Sequence, residues 1–379
     1  MKRPVYLDNN ATTPVDPEVA KEMIPYIESF YGNPSSPYSI GRSNKEAVEK
    51  ARAQVPELIN CEPEEIYFTS CATESNNLAI KGIAWANSDK GRHIITSAIE
   101  HPAVTEVCKY LSSHGFEITY IPVDKYGRID PKNVENAIRK DTILITIMHA
   151  NNEVGTIQPI REIGAIARQN NVIFHTDASQ SVGKIETDVD LLGIDLLTIA
   201  GHKLYAPKGI GALYIRKGTS IENLMHGAGQ EKGIRPGTEN VIHTVGLGKA
   251  CEVAMCDFKQ NQQNMQVSRD RLLNGLVSHL GSKVQINGNL ENCLPNTLSV
   301  ASENISAHAL ASFISNNVLI STGSACHSGE TTISSVLQAM NLDFRTAAST
   351  VRISTGKHTT KEEIDFAVEV LVNAIKKLT

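Results

Sequence analysis

Leu196-Leu197-Thr198-Ile199-Ala200-Gly201-His202-Lys203-Leu204-Tyr205-Ala206-Pro207-Lys208-Gly209-Ile210-Gly211 opens as an almost unbroken apolar run and then changes abruptly to glycine, histidine and lysine. A short continuous apolar run is the pattern of a strand buried on both faces, as in a parallel sheet. Similar runs stand upstream at Ile66-Tyr67-Phe68-Thr69, His93-Ile94-Ile95-Thr96, Phe116 to Ile121, Thr142 to Met148 and Val172-Ile173-Phe174-His175. The segments between them are long enough for crossover helices, so residues 64 to 215 predict an α/β layered unit.

At 379 residues the chain exceeds the size at which one core usually keeps growing, and a second unit is expected. Beyond residue 239 the pattern predicts one long helical stretch to Leu280, then short strands near Val284 to Ile286 and Thr297 to Val300. A closing helix starts at two overlapping capping boxes, Thr359-Thr360-Lys361-Glu362-Glu363, and carries the stripe Ile364, Ala367, Leu371, Ala374, Leu378. This is a smaller α+β unit. Ser321 to Ser335 is nearly all polar or glycine, with only Ala325, Cys326 and Ile333 as apolar anchors, and is expected to be mobile.

A composition of 41% hydrophobic and 20% charged residues excludes collagen-like, coiled-coil and disordered chains. The net charge of −5 comes without like-charged blocks, so neither nucleic acid nor an anionic membrane is an expected partner. Seven scattered cysteines make no disulfide framework. The start Met1-Lys2-Arg3-Pro4-Val5-Tyr6-Leu7-Asp8 holds no signal-peptide core, and no apolar run approaches a membrane span, so a cytoplasmic protein is expected. Without a C-x-x-C or H-x-x-x-H pair, no metal site is expected.

Ligands of α/β sheets sit at the carboxyl ends of the strands. After Phe68, Thr69-Ser70-Cys71-Ala72-Thr73-Glu74 opens a helix whose free N–H groups suit a phosphate, an ordinary N-cap at Thr73 being the competing reading. His101 precedes Pro102 at another helix start, either as a functional group or as a solvated cap. Asp177 ends a buried strand, where it either caps the next turn or serves chemistry. Lys203, between His202 and the sheet terminus, is placed for desolvation toward a nucleophile and base, although a single lysine is by default a solvated one. Together, a phosphate site, an aspartate, a histidine and a lysine at strand ends are the parts that hold pyridoxal phosphate.

Seven ordered motifs then carry a resemblance: Tyr6 to Thr13, Gly32-Asn33-Pro34-Ser35-Ser36, Ala72 to Asn77, Glu100 to Val104, Ala150-Asn151-Asn152-Glu153, Arg235 to Asn240 and Gly323-Ser324-Ala325-Cys326. Over nearly its whole length the chain resembles the cysteine desulfurases of the class V aminotransferase superfamily. The resemblance implies a homodimer of fold type I binding pyridoxal 5′-phosphate, with a mainly parallel seven-stranded sheet in a large domain (15–253). Residues 1–14 and 254–379 would form a small domain carrying the catalytic cysteine loop, about 321–335.

By the same resemblance Lys203 bonds the coenzyme, Asp177 pairs with its pyridinium nitrogen and His101 stacks on its ring. Ala72, Thr73 and His202 hold the phosphate beside Ala200, Thr238 reaches it from the other subunit, and Asn152 and Gln180 meet the ring hydroxyl. Arg352 takes the substrate carboxylate, with Asn33 and Asn152 as further substrate contacts. Lys203 removes the Cα proton, and His101 is a candidate proton shuttle.

Cys326 thiolate then takes the substrate sulfur as a persulfide and alanine is released. A lone cysteine is otherwise usually an inert core residue. At a pKa of about 8.5 a few per cent thiolate suffices, and His327 is either a nearby cation or a solvated loop residue. The 26 positions from Cys326 to Arg352 resemble the long-loop branch, in which the persulfide travels to an acceptor protein. Iron–sulfur assembly, tRNA thiolation and DNA phosphorothioation all draw on such enzymes. Ala325-Cys326-His327-Ser328 also resembles selenocysteine lyases, and a non-catalytic sulfur-carrier-binding scaffold is the rival from another class.

Three positions depart from the pattern. Cys71 stands for glycine, which predicts either a backbone that avoids positive φ or strain. Ala200 stands for serine, removing a phosphate hydroxyl, and Ala206 for glycine is expected to be harmless.

Overall fold

The computed structural model describes residues 3–322, 324–327 and 330–379, with the backbone alone for 324–327 and 330–332. The large sheet has seven strands in the order Ile66–Thr69, Gly211–Ile215, Leu196–Ala200, Ile173–Asp177, Thr142–Thr146, His93–Ser97, Glu117–Ile121. Six run the same way; Gly211–Ile215 alone runs against its neighbours. Both faces are covered, which explains the continuous apolar runs. Ile94, Leu144 and Leu196 enter one apolar cluster, while Ile95, Ile145 and Leu197 enter the other.

The smaller sheet, Ser321–Thr322, Thr350–Ser354, Thr297–Ser302, Val284–Asn287, is antiparallel and lies beneath the helices Phe258–Leu280 and Lys361–Leu378. Leu7 is fully buried in this core. The parallel pairing of Val5–Tyr6 with Val318–Leu319 and the bridge from Asp8 to Ser354 fix the N-terminal segment there. Asp8 to Ala11 therefore lie on the seam between the two sheets.

Three local expectations are corrected. The long stretch to Leu280 is two helices, Val241–Cys256 and Phe258–Leu280, separated at Asp257. One capping box forms, at Thr360 and Glu363; Thr359 Oγ1 instead accepts from Gly356 N. Leu378, at the end of the closing helix, is exposed, whereas Val368, Val372 and Ile375 join the buried stripe. Ser324–His327 pairs with Glu330–Ile333 as an antiparallel hairpin. Residues 323, 328 and 329 of the segment expected to be mobile, and the side chains of Cys326 and His327, lie outside the described residues.

One buried ion pair anchors the loop that carries Thr238. Arg52 grips Glu231 through both Nη atoms, at 2.8 and 2.7 Å, and donates to Ile66 O; Glu231 Oε2 also accepts from Phe68 N. Both side chains are 5% exposed. Glu231 and Lys232 sit at φ 44° and 55°, a strained left-handed pair that these contacts hold in place. Arg52→Met is expected to destabilise the fold by about 3–5 kcal/mol, because it leaves a buried carboxylate unpaired. Denaturant unfolding checks this; a loss below about 1 kcal/mol contradicts it.

Candidate active site

The strand ends converge on a cavity of about 400 Å³ lined by Asn10, Ala11, Cys71, Ala72, Thr73, His101, Asn152, Asp177, Gln180, Ala200, His202, Lys203 and Arg352, among others. A larger open groove, about 1020 Å³, runs between Phe258–Leu280 and Lys361–Leu378. There Arg271 and Asp365 neutralise each other, and none of the candidate residues enters it.

At one end of the cavity the helix Ala72–Ala86 begins without a side-chain cap, so its first N–H groups and positive dipole end remain available. Cys71 has φ −175°, extended backbone that any residue adopts, so its departure from glycine costs no strain. Gly211 is needed for close approach: a Cβ there would lie 2.9 Å from Cys71 C and 3.1 Å from Ala72 N. Ala206 is buried with no positive φ.

Asp177, 7% exposed, accepts from Asn76 Nδ2 at 2.7 Å and from Ser179 N at 2.9 Å. These bonds hold the carboxylate at the end of its strand. His101 caps the helix Pro102–Ser112, its Nδ1 accepting from Ala103 N, which leaves the proton on Nε2. Burial lowers its pKa, so the ring is neutral at neutral pH. Next to it, Glu100 is locked by Ser97 Oγ and Met148 N, tying the loop to the neighbouring strand; burial pushes this carboxyl up to about 8.

Lys203 Nζ donates to Asn10 O and Ala11 O, the latter at 2.6 Å. Burial and then the Arg352 charge bring its pKa down to about 8, against opposing pulls from Asp8 and Asp177. His202 is pushed to about 4 by burial and nearby lysines, and its Nδ1 lies 3.1 Å from Thr12 Oγ1. Tyr205, at φ 63°, turns the chain sharply after Lys203 and is held by Thr13 Oγ1 and by Lys357 N.

Arg352 comes from the small sheet. Its Nη2 bonds Asp8 Oδ1 at 2.7 Å, its Nη1 bonds Asn152 O at 3.1 Å, and its Nε is buried without a partner. Such a fork has donors to spare for a carboxylate.

The cavity thus brings together Ala72, Thr73, His101, Asn152, Asp177, Gln180, Ala200, His202, Lys203 and Arg352. Among the candidates whose side chains are described, two do not join them in this chain: Asn33 is outside the lining, its Oδ1 turned to Ser35 N, and Thr238 is exposed on the Glu231 loop. Sequence reasoning assigned no role to Asp8, Asn10, Asn76 or Lys184. The first three stand inside the motifs, but their partners are distant in sequence.

A profile of the aminotransferase class-V family matches residues 5–366. The chain belongs to this family, among its cysteine desulfurases. It is similar to the cysteine desulfurase IscS of Methanosarcina thermophila, with 48% identity over 99% of this chain and 92% of that protein. It is similar in fold to a solved NifS-like protein, with a TM-score of 0.93 and 40% identity over 99% of this chain and 100% of that one. SspA, solved in complex with cysteine, shares a TM-score of 0.83 and 38% identity over 94% of this chain and 99% of its own.

The class-V cofactor, pyridoxal 5′-phosphate, is the cofactor of this chain. The residues present fit it: an uncapped helix start for a phosphate, a buried carboxylate for a pyridinium nitrogen and a depressed amine for an aldehyde, all on one cavity. Ala200→Ser would restore a hydroxyl at this lining position. It is expected to tighten cofactor binding by about 1 kcal/mol, roughly fivefold in Kd. Absorbance titration of the apoprotein checks this, and an unchanged Kd counts against it.

Proposed function

We propose that this chain removes sulfur from L-cysteine, releasing alanine and leaving a persulfide on Cys326 for transfer to an acceptor protein. The observation that supports it most is Lys203, an amine held near pKa 8 and sharing its cavity with Asp177, His101 and Arg352. The desulfurase relatives of nearly equal length point the same way.

Ala72, Thr73 and His202 would hold the cofactor phosphate, with Thr238 contributed by a second copy; Asp177 would pair with the ring nitrogen, and Asn152 and Gln180 would meet the ring hydroxyl. When bound, the cofactor would supply an electron sink for the substrate Cα. Arg352 orients the substrate carboxylate through its free donors, with Asn33 and Asn152 as further contacts. Lys203 Nζ takes the Cα proton, and neutral His101, which would stack on the ring, carries a proton at the substrate thiol.

Cys326 Sγ attacks the substrate sulfur. An S–S bond forms, the Cβ–S bond breaks with its electrons left on carbon, and protons returned to carbon complete alanine. Cysteine plus thiol therefore gives alanine plus persulfide, with no external oxidant or reductant.

A homodimer is supported by Ile24, Ile27, Phe30, Tyr31 and Tyr38, large apolar residues exposed on one N-terminal segment. A reducing, cytoplasmic setting is supported by the six described cysteines, all free. Among the described residues no helix is long and apolar enough to cross a membrane. Mass spectrometry after brief exposure to cysteine tests the reading: it requires one added sulfur atom at Cys326, removed by a thiol wash. Parallel turnover of selenocysteine separates the lyase alternative.

A further inference from the structure

Behind Gln180, which lines the cavity, stands a second buried amine that the chemistry above leaves unused. Lys184 is 4% exposed, and its Nζ donates to Gln180 Oε1 at 2.9 Å. Among the described residues no carboxylate pairs with it. On the other side of the same carboxamide, Gln180 Nε2 donates to Asn10 O at 2.9 Å, and that carbonyl is also an acceptor for Lys203 Nζ. Asn10 is itself immobilised: its N donates to Ser354 Oγ, its Nδ2 to Asn152 O and Thr297 Oγ1, and its Oδ1 accepts from Asn296. A continuous chain of contacts therefore runs Lys184, Gln180, Asn10, Lys203.

A glutamine carboxamide can turn over, exchanging its acceptor for its two donors. Here the turned form would set Gln180 Oε1 against Asn10 O, acceptor facing acceptor, and its NH₂ against the Lys184 amine. We propose that Lys184 is a positioning residue: by occupying Gln180 Oε1 from behind, it commits the Gln180 NH₂ to the cavity, as a donor to Asn10 O and to the ring oxygen of the bound cofactor. This rests on the assignment of Gln180 to that oxygen in the proposed function. Burial, with the Lys203 and Arg352 charges, lowers the Lys184 pKa to about 7. At and below that pH the ammonium form has no lone pair, so it can face only Gln180 Oε1.

The test is the pH midpoint of the visible absorbance band of the holoenzyme. A donor on an anionic oxygen favours the less protonated state, so its loss raises the midpoint. Lys184→Met and Gln180→Leu are each expected to raise it by about one pH unit. The double variant is expected to match Gln180→Leu alone, because Lys184 acts only through Gln180. Lys184→Arg, which keeps a donor, is expected to stay near the wild type.

An unmoved midpoint in Lys184→Met overturns the proposal, as does a shift that adds in full to that of Gln180→Leu. If Lys184→Met does not fold, the double variant, which leaves neither side chain unpaired, is compared with Gln180→Leu: equal midpoints support the proposal and unequal ones overturn it. Wild-type protein with no visible band overturns the cofactor reading itself, whereas a wild-type band with an unmoved Lys184→Met midpoint overturns only the positioning role.

Discussion

Lys203→Ala protein is expected to purify without covalently held cofactor and to turn over cysteine at least about 10⁴-fold more slowly than the wild type. The replacement removes both the amine that bonds the aldehyde and the base that takes the Cα proton, and no other amine replaces it. Lys184, the nearest candidate in chemistry, is committed to Gln180. The same argument predicts the pH dependence of cofactor uptake by apoprotein. Only the neutral amine attacks an aldehyde, so the uptake rate is expected to rise with pH up to about 8, the depressed Lys203 value, and then level off. Arg352→Ala removes a charge that lowers this pKa and is expected to move the midpoint upward. Stopped-flow absorbance across the pH range measures both. A Lys203→Ala variant that stays coloured after desalting, or wild-type uptake that does not change across the neutral range, is incompatible with the assignment.

The second large effect is expected from Cys326→Ser. A serine hydroxyl is not appreciably ionised at neutral pH and cannot hold a persulfide, so alanine formation should fall by roughly 10³-fold or more. Cofactor binding should be unchanged, and so should exchange of the substrate Cα proton with solvent, because Lys203, Asp177 and Arg352 are untouched. This split separates the two halves of the reaction. Retention of full turnover by the serine variant would instead indicate β-elimination or transamination, with the cysteine irrelevant. Alanine assays and deuterium exchange on the same preparation decide between them.

Much of this architecture was legible locally. Six strands of the large sheet were legible as β-rich runs, several of them nearly continuously apolar because helices cover both faces, while the edge strand Glu117–Ile121 keeps exposed positions. The residues at the strand ends, Thr73, His101, Asp177 and Lys203, follow those runs directly. The seventh strand, Gly211–Ile215, escaped the residue pattern: it begins at a glycine required for its approach to Cys71 and Ala72 and runs against its neighbours. The break at Asp257 was equally invisible, since no glycine or proline marks it. Thr238 and Asn33 could be named from their motifs, but both lie outside the cavity of a single chain.

Strand pattern, helix starts and the kinds of reactive side chain were written in neighbouring residues, since backbone periodicity and capping act over a few positions. Which groups meet was decided only in three dimensions. Arg352 reaches Asp8 across 344 positions and Lys203 reaches Asn10 across 193. Burial, which sets the protonation of Lys203, Lys184 and His202, comes from packing in three dimensions, and no local stretch of the chain encodes it.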